Sequence, residues 1–436
     1  MVTIIFAMIV FISAFGLMYP TLSGTRFKNN TTGGVYYMLW LVIASISVRV
    51  VCACIYKGFS YDLSCFREWA TRLASGGFAG FYSSDSFNNY PPGYMYVLRV
   101  LGAIRSAAKL DEAGFNFLLK IPAMAVDIAI GIWLFGIIVK KQELKTALLC
   151  AALWLFNPAV IIDSSLWGQV DVIYTALIGL MLYFITEKKL IPAYFAFALS
   201  VLTKPQSFVL TPILIFAIIE QVFLQGFDKK VFFRNLAGGL SAIALLLLLC
   251  VPFGLKNVFA QYAETLQGNP YFTQNAFNMW GMFGMNYSKV TQAGSVAGYI
   301  FMAMSVAFTA LVYFRSEKKG KVCFCAGLLM LCFYMLSVKV NERYAYTSVL
   351  CFLMAYMLTS EKGELLSFFL VSVSQAFNIA WALFIFGTDF RKYFFDPWIK
   401  LYSGINVLIF IYIIYVAVTA YIFRPDRLRS KKRTAA

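Results

Sequence analysis

The 436-residue sequence contains no histidine. Imidazole base catalysis and histidine-ligated metals are therefore excluded. Charge is scarce as well: Asp, Glu, Lys and Arg together make 13% of the chain, about half the usual share in soluble domains. A chain that is 61% apolar has too little polar surface to enclose a soluble core. Alternating apolar and polar residues, the mark of a membrane barrel, are missing too. What remains is a series of continuous apolar runs long enough to cross a bilayer core of roughly 30 Å. Helices satisfy every backbone group within such runs. The fold class expected is therefore all-α, polytopic and membrane-embedded.

Acidic residues are the rarer charge, 20 against 37 basic, for a formal net charge of +17. The basic residues sit in short loops between apolar runs, which is the positive-inside pattern and not a nucleic-acid surface. Eight of the nine cysteines lie in the runs themselves (Cys52, Cys54, Cys150, Cys250, Cys323, Cys325, Cys332 and Cys351). There they pack as small hydrophobes, and the Cys52/Cys54 and Cys323/Cys325 pairs are too sparse for a zinc site. The first run lacks a basic leader, and Met18-Tyr19-Pro20 is a poor cleavage site, so it is expected to be retained.

Helices are expected at about 2–20, 35–56, 116–139, 146–161, 171–186, 190–203, 206–223, 235–253, 296–314, 322–338, 345–359, 365–386 and 402–423, about thirteen crossings in one transmembrane domain spanning 1–436. With that count the loops at Arg26/Lys28, Lys140/Lys141/Lys145, Lys188/Lys189, Lys229/Lys230/Arg234, Arg315/Lys318/Lys319/Lys321 and Lys362, and the basic tail 424–436, share one side. That side is the cytoplasm, with the N-terminus outside. The register requires Pro92 to Lys109 to be a juxtamembrane or re-entrant helix; Arg99, Arg105 and Lys109 suit an interface, and Pro91-Pro92 suits a helix start. The outer side then carries three longer segments, 57–115, 254–295 and 387–401.

Chemistry-bearing residues gather at the outer helix ends. Asp62, in Tyr61-Asp62-Leu63-Ser64-Cys65-Phe66-Arg67-Glu68-Trp69, stands just past a spanning helix, where a carboxylate can take a proton from a hydroxyl. Asp163-Ser164-Ser165-Leu166-Trp167-Gly168-Gln169-Val170-Asp171 puts carboxylates and an amide at another exit; a plain polar turn is the alternative. Thr203-Lys204-Pro205-Gln206 breaks an apolar stretch, and its lysine suits a phosphate, with snorkelling as the competing account. Lys339-Val340-Asn341-Glu342-Arg343-Tyr344 brings an arginine, which binds phosphate bidentately. Asp127 lies inside an apolar helix, where it serves either packing against a basic partner or a direct role.

Taken in order, these motifs resemble the GT-C superfamily of glycosyltransferases, most closely bacterial relatives of the second GPI mannosyltransferase and more distantly the dolichyl-phosphate-glucose glucosyltransferases. The resemblance runs from about residue 45 to 360. It rests on Asp62 with Trp69 and Phe81-Tyr82, on Tyr90-Pro91-Pro92, on Lys120-Ile121-Pro122 with Asp127, on Trp167-Gly168-Gln169-Val170-Asp171 and on Lys204-Pro205-Gln206. Two features depart from it. Asn341-Glu342-Arg343-Tyr344 stands where relatives carry His-Glu-Arg-Tyr, so that position cannot titrate here, and one extra helix precedes the Asp62 helix.

The resemblance implies an inverting transfer of a hexose, mannose foremost, from a polyprenyl-phosphate donor to a hydroxyl on a glycan, glycolipid or protein. Asp62 is then the general base, Lys204 and Arg343 hold the donor phosphate, and Trp69, Tyr90, Trp167, Gln169, Asp171, Gln206, Asn341 and Glu342 contact substrate. No metal ligand set and no cofactor is expected, although a divalent metal at the phosphate stays open. A bacterial plasma membrane is expected, with the work done on its outer side. The rivals are a lipid-linked sugar flippase or another transporter, which needs polar residues through the bundle and repeat symmetry, and a non-catalytic scaffold.

Overall fold

In a computed structural model the described residues are 31–83, 87–140, 142–267, 269–385 and 397–423. The expected first helix at 2–20, Arg26, Lys28, Lys141, the basic tail from residue 424 and most of the third outer segment lie outside them. The described chain is helical, with short 3-10 and π turns among the α-helices, apart from a two-residue parallel pair.

The helices are α1 (Thr31–Ile55), α2 (Ser60–Gly76), α3 (Pro92–Ala108), α4 (Glu112–Ile138), α5 (Leu144–Leu155), α6 (Pro158–Ile161), α7 (Asp171–Thr186) and α8 (Leu190–Thr203), followed by α9 (Thr211–Ile218), α10 (Lys229–Cys250), α11 (Leu255–Gln267), α12 (Met279–Met282), α13 (Gln292–Arg315), α14 (Lys321–Leu336), α15 (Tyr346–Thr359), α16 (Lys362–Phe384) and α17 (Pro397–Val416). Seven segments are long and apolar enough to span a membrane: Gly34–Ile55, Glu112–Ile138, Pro205–Leu224, Lys229–Phe253, Gln292–Arg315, Lys362–Phe384 and Pro397–Ile422. α5 and the Pro158–Trp167 segment pass together as an eighth, bent by 41°. Four shorter apolar helices, α7, α8, α14 and α15, complete the set.

Twelve of the thirteen expected helices thus have a counterpart. The exception in shape is 146–161, read as one helix. Pro158 breaks it, because its ring denies an N–H to the helix and clashes one turn back. Asn157 restarts the chain as an N-cap, its side chain accepting from the Ala159 N–H at 3.0 Å. α3 is amphipathic: Tyr94, Met95, Leu98 and Leu101 are buried while Val100, Ile104 and Ser106 are exposed. It is not among the span-like helices.

The helices gather into two units. The first holds Met1–Phe81, Tyr94–Ala176 and Ser372–Phe390; the second holds Tyr82–Gly93, Leu177–Val371 and Arg391–Ala436. In the first unit the core lies around α4 and α5, with Phe115, Leu119, Leu134 and Trp154 fully buried. In the second it lies around α14 and α15, which are apolar all round and buried along nearly their whole length. The long helices behave differently: α10 exposes Leu236, Leu240 and Leu248, and α13 exposes Tyr299, Ile300 and Met304. Apolar faces of this kind are stable against lipid and unstable against water.

Candidate functional site

The first unit assembles a cradle around Asp62. α1 ends at Ile55, and Gly58, with φ of +102°, turns the chain into α2. A Cβ at that glycine would lie 2.3 Å from Leu63 Cδ1 and 2.9 Å from the Trp167 carbonyl oxygen, so only glycine fits this turn. Asp62 then falls in the first turn of α2. Its Oδ2 accepts from Trp167 Nε1 at 2.7 Å and from Gln169 Nε2 at 2.5 Å. Neither donor titrates, and together they fix the orientation of the carboxylate. One turn on, burial foremost, and Asp62 and Glu68 after it, push the Cys65 thiol up to about 11. Cys65 stays protonated and does not compete as a nucleophile.

The donors are themselves held in place. Residues Ile162–Trp167 form a π-helical turn. It closes at Gly168, whose φ of +86° lets its N–H and that of Gln169 share the Asp163 carbonyl at 3.1 and 2.9 Å. Lys120, 1% exposed on α4, reaches under this turn. Its Nζ donates to the carbonyls of Ser165 at 2.9 Å and Tyr56 at 2.6 Å, and at 3.4 Å to those of Ala53 and Leu166. The lysine thereby staples the end of α1, which leads to Asp62, to the two residues before Trp167. Lys120→Met leaves those buried carbonyls without their donor. It is expected to lower stability by roughly 2–3 kcal/mol, read as a fall in the melting temperature of the detergent-solubilised protein.

Deeper on α4, Asp127 is fully buried and forms an ion pair with Arg49 of α1, Nε to Oδ2 at 3.1 Å. Ser164 Oγ donates to the same oxygen at 2.5 Å, and Arg49 Nη1 donates to Ser45 Oγ and to the Leu155 carbonyl. Of the two roles open for Asp127 in the sequence, the structure gives it the basic partner.

Other expected site residues of this unit take different places. Trp69 is 1% exposed and packs on Phe66 with ring centroids 5.7 Å apart. Asp171 is 2% exposed at the start of α7.

The second unit holds the remaining candidates. Lys204 ends α8 in an extended conformation, 5% exposed, with its ammonium 5.3 Å from the centroid of the Tyr90 ring. The lysine is thus drawn inward onto an aromatic face. Tyr90 is tied by its carbonyl to the Tyr82 hydroxyl at 2.8 Å. Pro205 starts a 3-10 turn, Pro205–Leu210. In that turn Gln206 Oε1 and Ser207 Oγ are buried with no hydrogen-bond partner among the described residues.

Further along, β1 (Thr273–Gln274) and β2 (Val340–Asn341) pair in parallel, with Gln274 opposite Asn341. Asn269 Nδ2 donates to Asn341 Oδ1 at 3.2 Å, and Arg343 Nη1 contacts Glu342 Oε1 at 2.7 Å. Both members of that ion pair are about nine-tenths buried.

Sequence reasoning missed two of these residues and met a third, Lys120, only within a motif. Arg49 was visible as a cation inside an apolar run, which ordinarily marks a buried partner. Asn269 had no sequence signal, because its place depends on a strand pair that joins residues far apart in the chain.

The chain matches no curated protein. The model of glycosyltransferase family 87 matches it over residues 88–337, a range that includes Tyr90, Lys120, Asp127, Trp167, Gln169, Asp171, Lys204 and Gln206. Asp62 and Arg343 lie on either side of it. With more than half of its length matched and its helices apolar enough to span a bilayer many times, the chain is a polytopic membrane glycosyltransferase belonging to glycosyltransferase family 87.

Proposed function

We propose that this chain moves a hexose, mannose foremost, from a polyprenyl-phosphate donor to a hydroxyl acceptor on the non-cytoplasmic face of a bacterial plasma membrane, with inversion at the anomeric carbon. The acceptor hydroxyl belongs to a glycan, a glycolipid or a protein. The observation that carries the reading is Asp62, a carboxylate at a helix start gripped on one oxygen by Trp167 and Gln169. Asp62 takes the acceptor proton as the acceptor oxygen bonds to the anomeric carbon. The bond from that carbon to the donor phosphate breaks, and its electron pair leaves with the polyprenyl phosphate. Lys204 and Arg343 offset the charge that gathers there, an effect that strengthens where water is sparse. Gln206 Oε1 and Ser207 Oγ, buried without partners among the described residues, accept from and donate to sugar hydroxyls.

The roles of Trp69, Asp171, Asn341 and Glu342 follow from the same reading. Trp69 braces α2 from within the helix that carries Asp62, Asp171 orients a hydroxyl beyond Gln169, and Glu342 fixes the Arg343 guanidinium. Asn341 offers a neutral hydrogen bond that does not change with pH. The distribution of basic loops supports this sidedness; a reporter fused at Lys188 is expected to read cytoplasmic.

Purified protein given a polyprenyl-phosphate hexose is expected to release polyprenyl phosphate and form a product of inverted anomeric configuration, followed by lipid chromatography and NMR. Turnover of a nucleotide sugar instead, or a product of retained configuration, overturns the reading.

A further inference from the structure

A second polar site lies in the second unit, on the connections that carry basic residues. The turn after α7, the last residues of the Pro205–Leu224 segment and the first turns of α10 surround an open cavity of about 380 Å³. Lys188, Lys189 and Arg234 line it, together with the amides of Gln221, Gln225 and Asn235. None of its described lining residues is acidic. The floor is built: Tyr194 donates to Asn235 Oδ1 at 3.4 Å, Gln221 Nε2 donates to the Ile185 carbonyl at 3.0 Å, and Lys188 Nζ lies 3.5 Å from Gln225 Oε1. Lys188 also sits at φ of +58°, a left-handed position closing α7 that helices ordinarily give to glycine.

The surroundings say what fills such a cavity. It lies where two span-like segments, Pro205–Leu224 and Lys229–Phe253, join, and therefore at headgroup depth. Beside it Phe223, Phe227 and Phe233 are 45%, 56% and 62% exposed, and Phe223 and Phe227 stack at 5.9 Å. Three cations and amide donors with an apolar flank at that depth complement a phosphate carrying acyl chains. We propose that this cavity binds the headgroup of an anionic glycerophospholipid. The site takes no part in the sugar transfer, so its test reads binding and stands whether or not the donor assignment holds.

The test uses the full chain in a neutral detergent, with bound lipid read by native mass spectrometry. Phosphatidylglycerol, phosphatidylcholine and glycerol 3-phosphate serve as probes. Phosphatidylglycerol is expected to bind saturably and phosphatidylcholine far more weakly. Lys188→Gln/Lys189→Gln/Arg234→Gln is expected to lose roughly a hundredfold in apparent affinity, from three headgroup-facing charges. The charge-matched Arg315→Gln/Lys319→Gln/Lys362→Gln is expected to bind as the parent does. Lys188→Gly, which relieves the backbone and preserves the fold, is expected to cost roughly fivefold through one charge. Equal losses in both triple variants, or equal binding of the two phospholipids, overturn the proposal. Glycerol 3-phosphate binding as tightly as phosphatidylglycerol overturns the lipid assignment in favour of a soluble phosphate.

Discussion

Asp62→Asn is expected to lower turnover of a polyprenyl-phosphate hexose by roughly 100- to 10,000-fold, the range a positioned general base contributes, while the protein still folds. Geometry separates the two effects. Trp167 Nε1 and Gln169 Nε2 meet on one oxygen of Asp62, and an asparagine carbonyl placed there accepts both bonds. The variant keeps its cradle and loses only its capacity to take a proton. An unchanged melting temperature with turnover lost is therefore the expected pair of measurements. A fully active variant sinks the assignment of Asp62 as base.

Arg49→Met is expected to destabilise the first unit by roughly 3–5 kcal/mol, because it leaves Asp127 buried without its counter-charge. The pair is imperfect even in the intact protein. Arg49 Nη2 and Asp127 Oδ1 are both buried with no hydrogen-bond partner among the described residues. Two charges removed from water and only partly compensated are often replaceable by apolar side chains at little net cost. Arg49→Met combined with Asp127→Leu should therefore recover most of the loss seen in Arg49→Met alone. Thermal melts of the two variants in one detergent measure this directly; a double variant no more stable than the single one refutes it. Asp127 is closed off by Arg49, Ser164 and the surrounding core.

The helices were legible because lipid imposes one rule on every segment, and apolar length alone satisfies it. α7 and α8 begin and end where the sequence places them, since Lys188-Lys189 and Lys204-Pro205 interrupt the runs visibly. The break at Asn157-Pro158 was equally written in a dipeptide that favours turns, but the apolar residues on both sides outweighed it. Motif residues around Asp62 were legible as residue types at helix ends. Their partnerships were not, because the Trp167 and Gln169 bonds to Asp62 connect positions more than a hundred residues apart. Lys120 shows the limit most plainly. Its neighbours in the chain say nothing of the four carbonyls it binds, which belong to two other segments.

The π-helical turn at Ile162–Trp167 amounts to one residue more than an α-helix would place in that turn. Each residue of an α-helix advances the side chains by about 100°. A chain one residue shorter here would wind as ordinary helix and swing the Trp167 indole and Gln169 amide away from Asp62 by about that angle, with every residue type in the motif still present. Chain length between Asn157 and Gly168 is thus part of the recognition of Asp62, and alignments that close this segment with a gap would keep the letters of the cradle and lose its geometry.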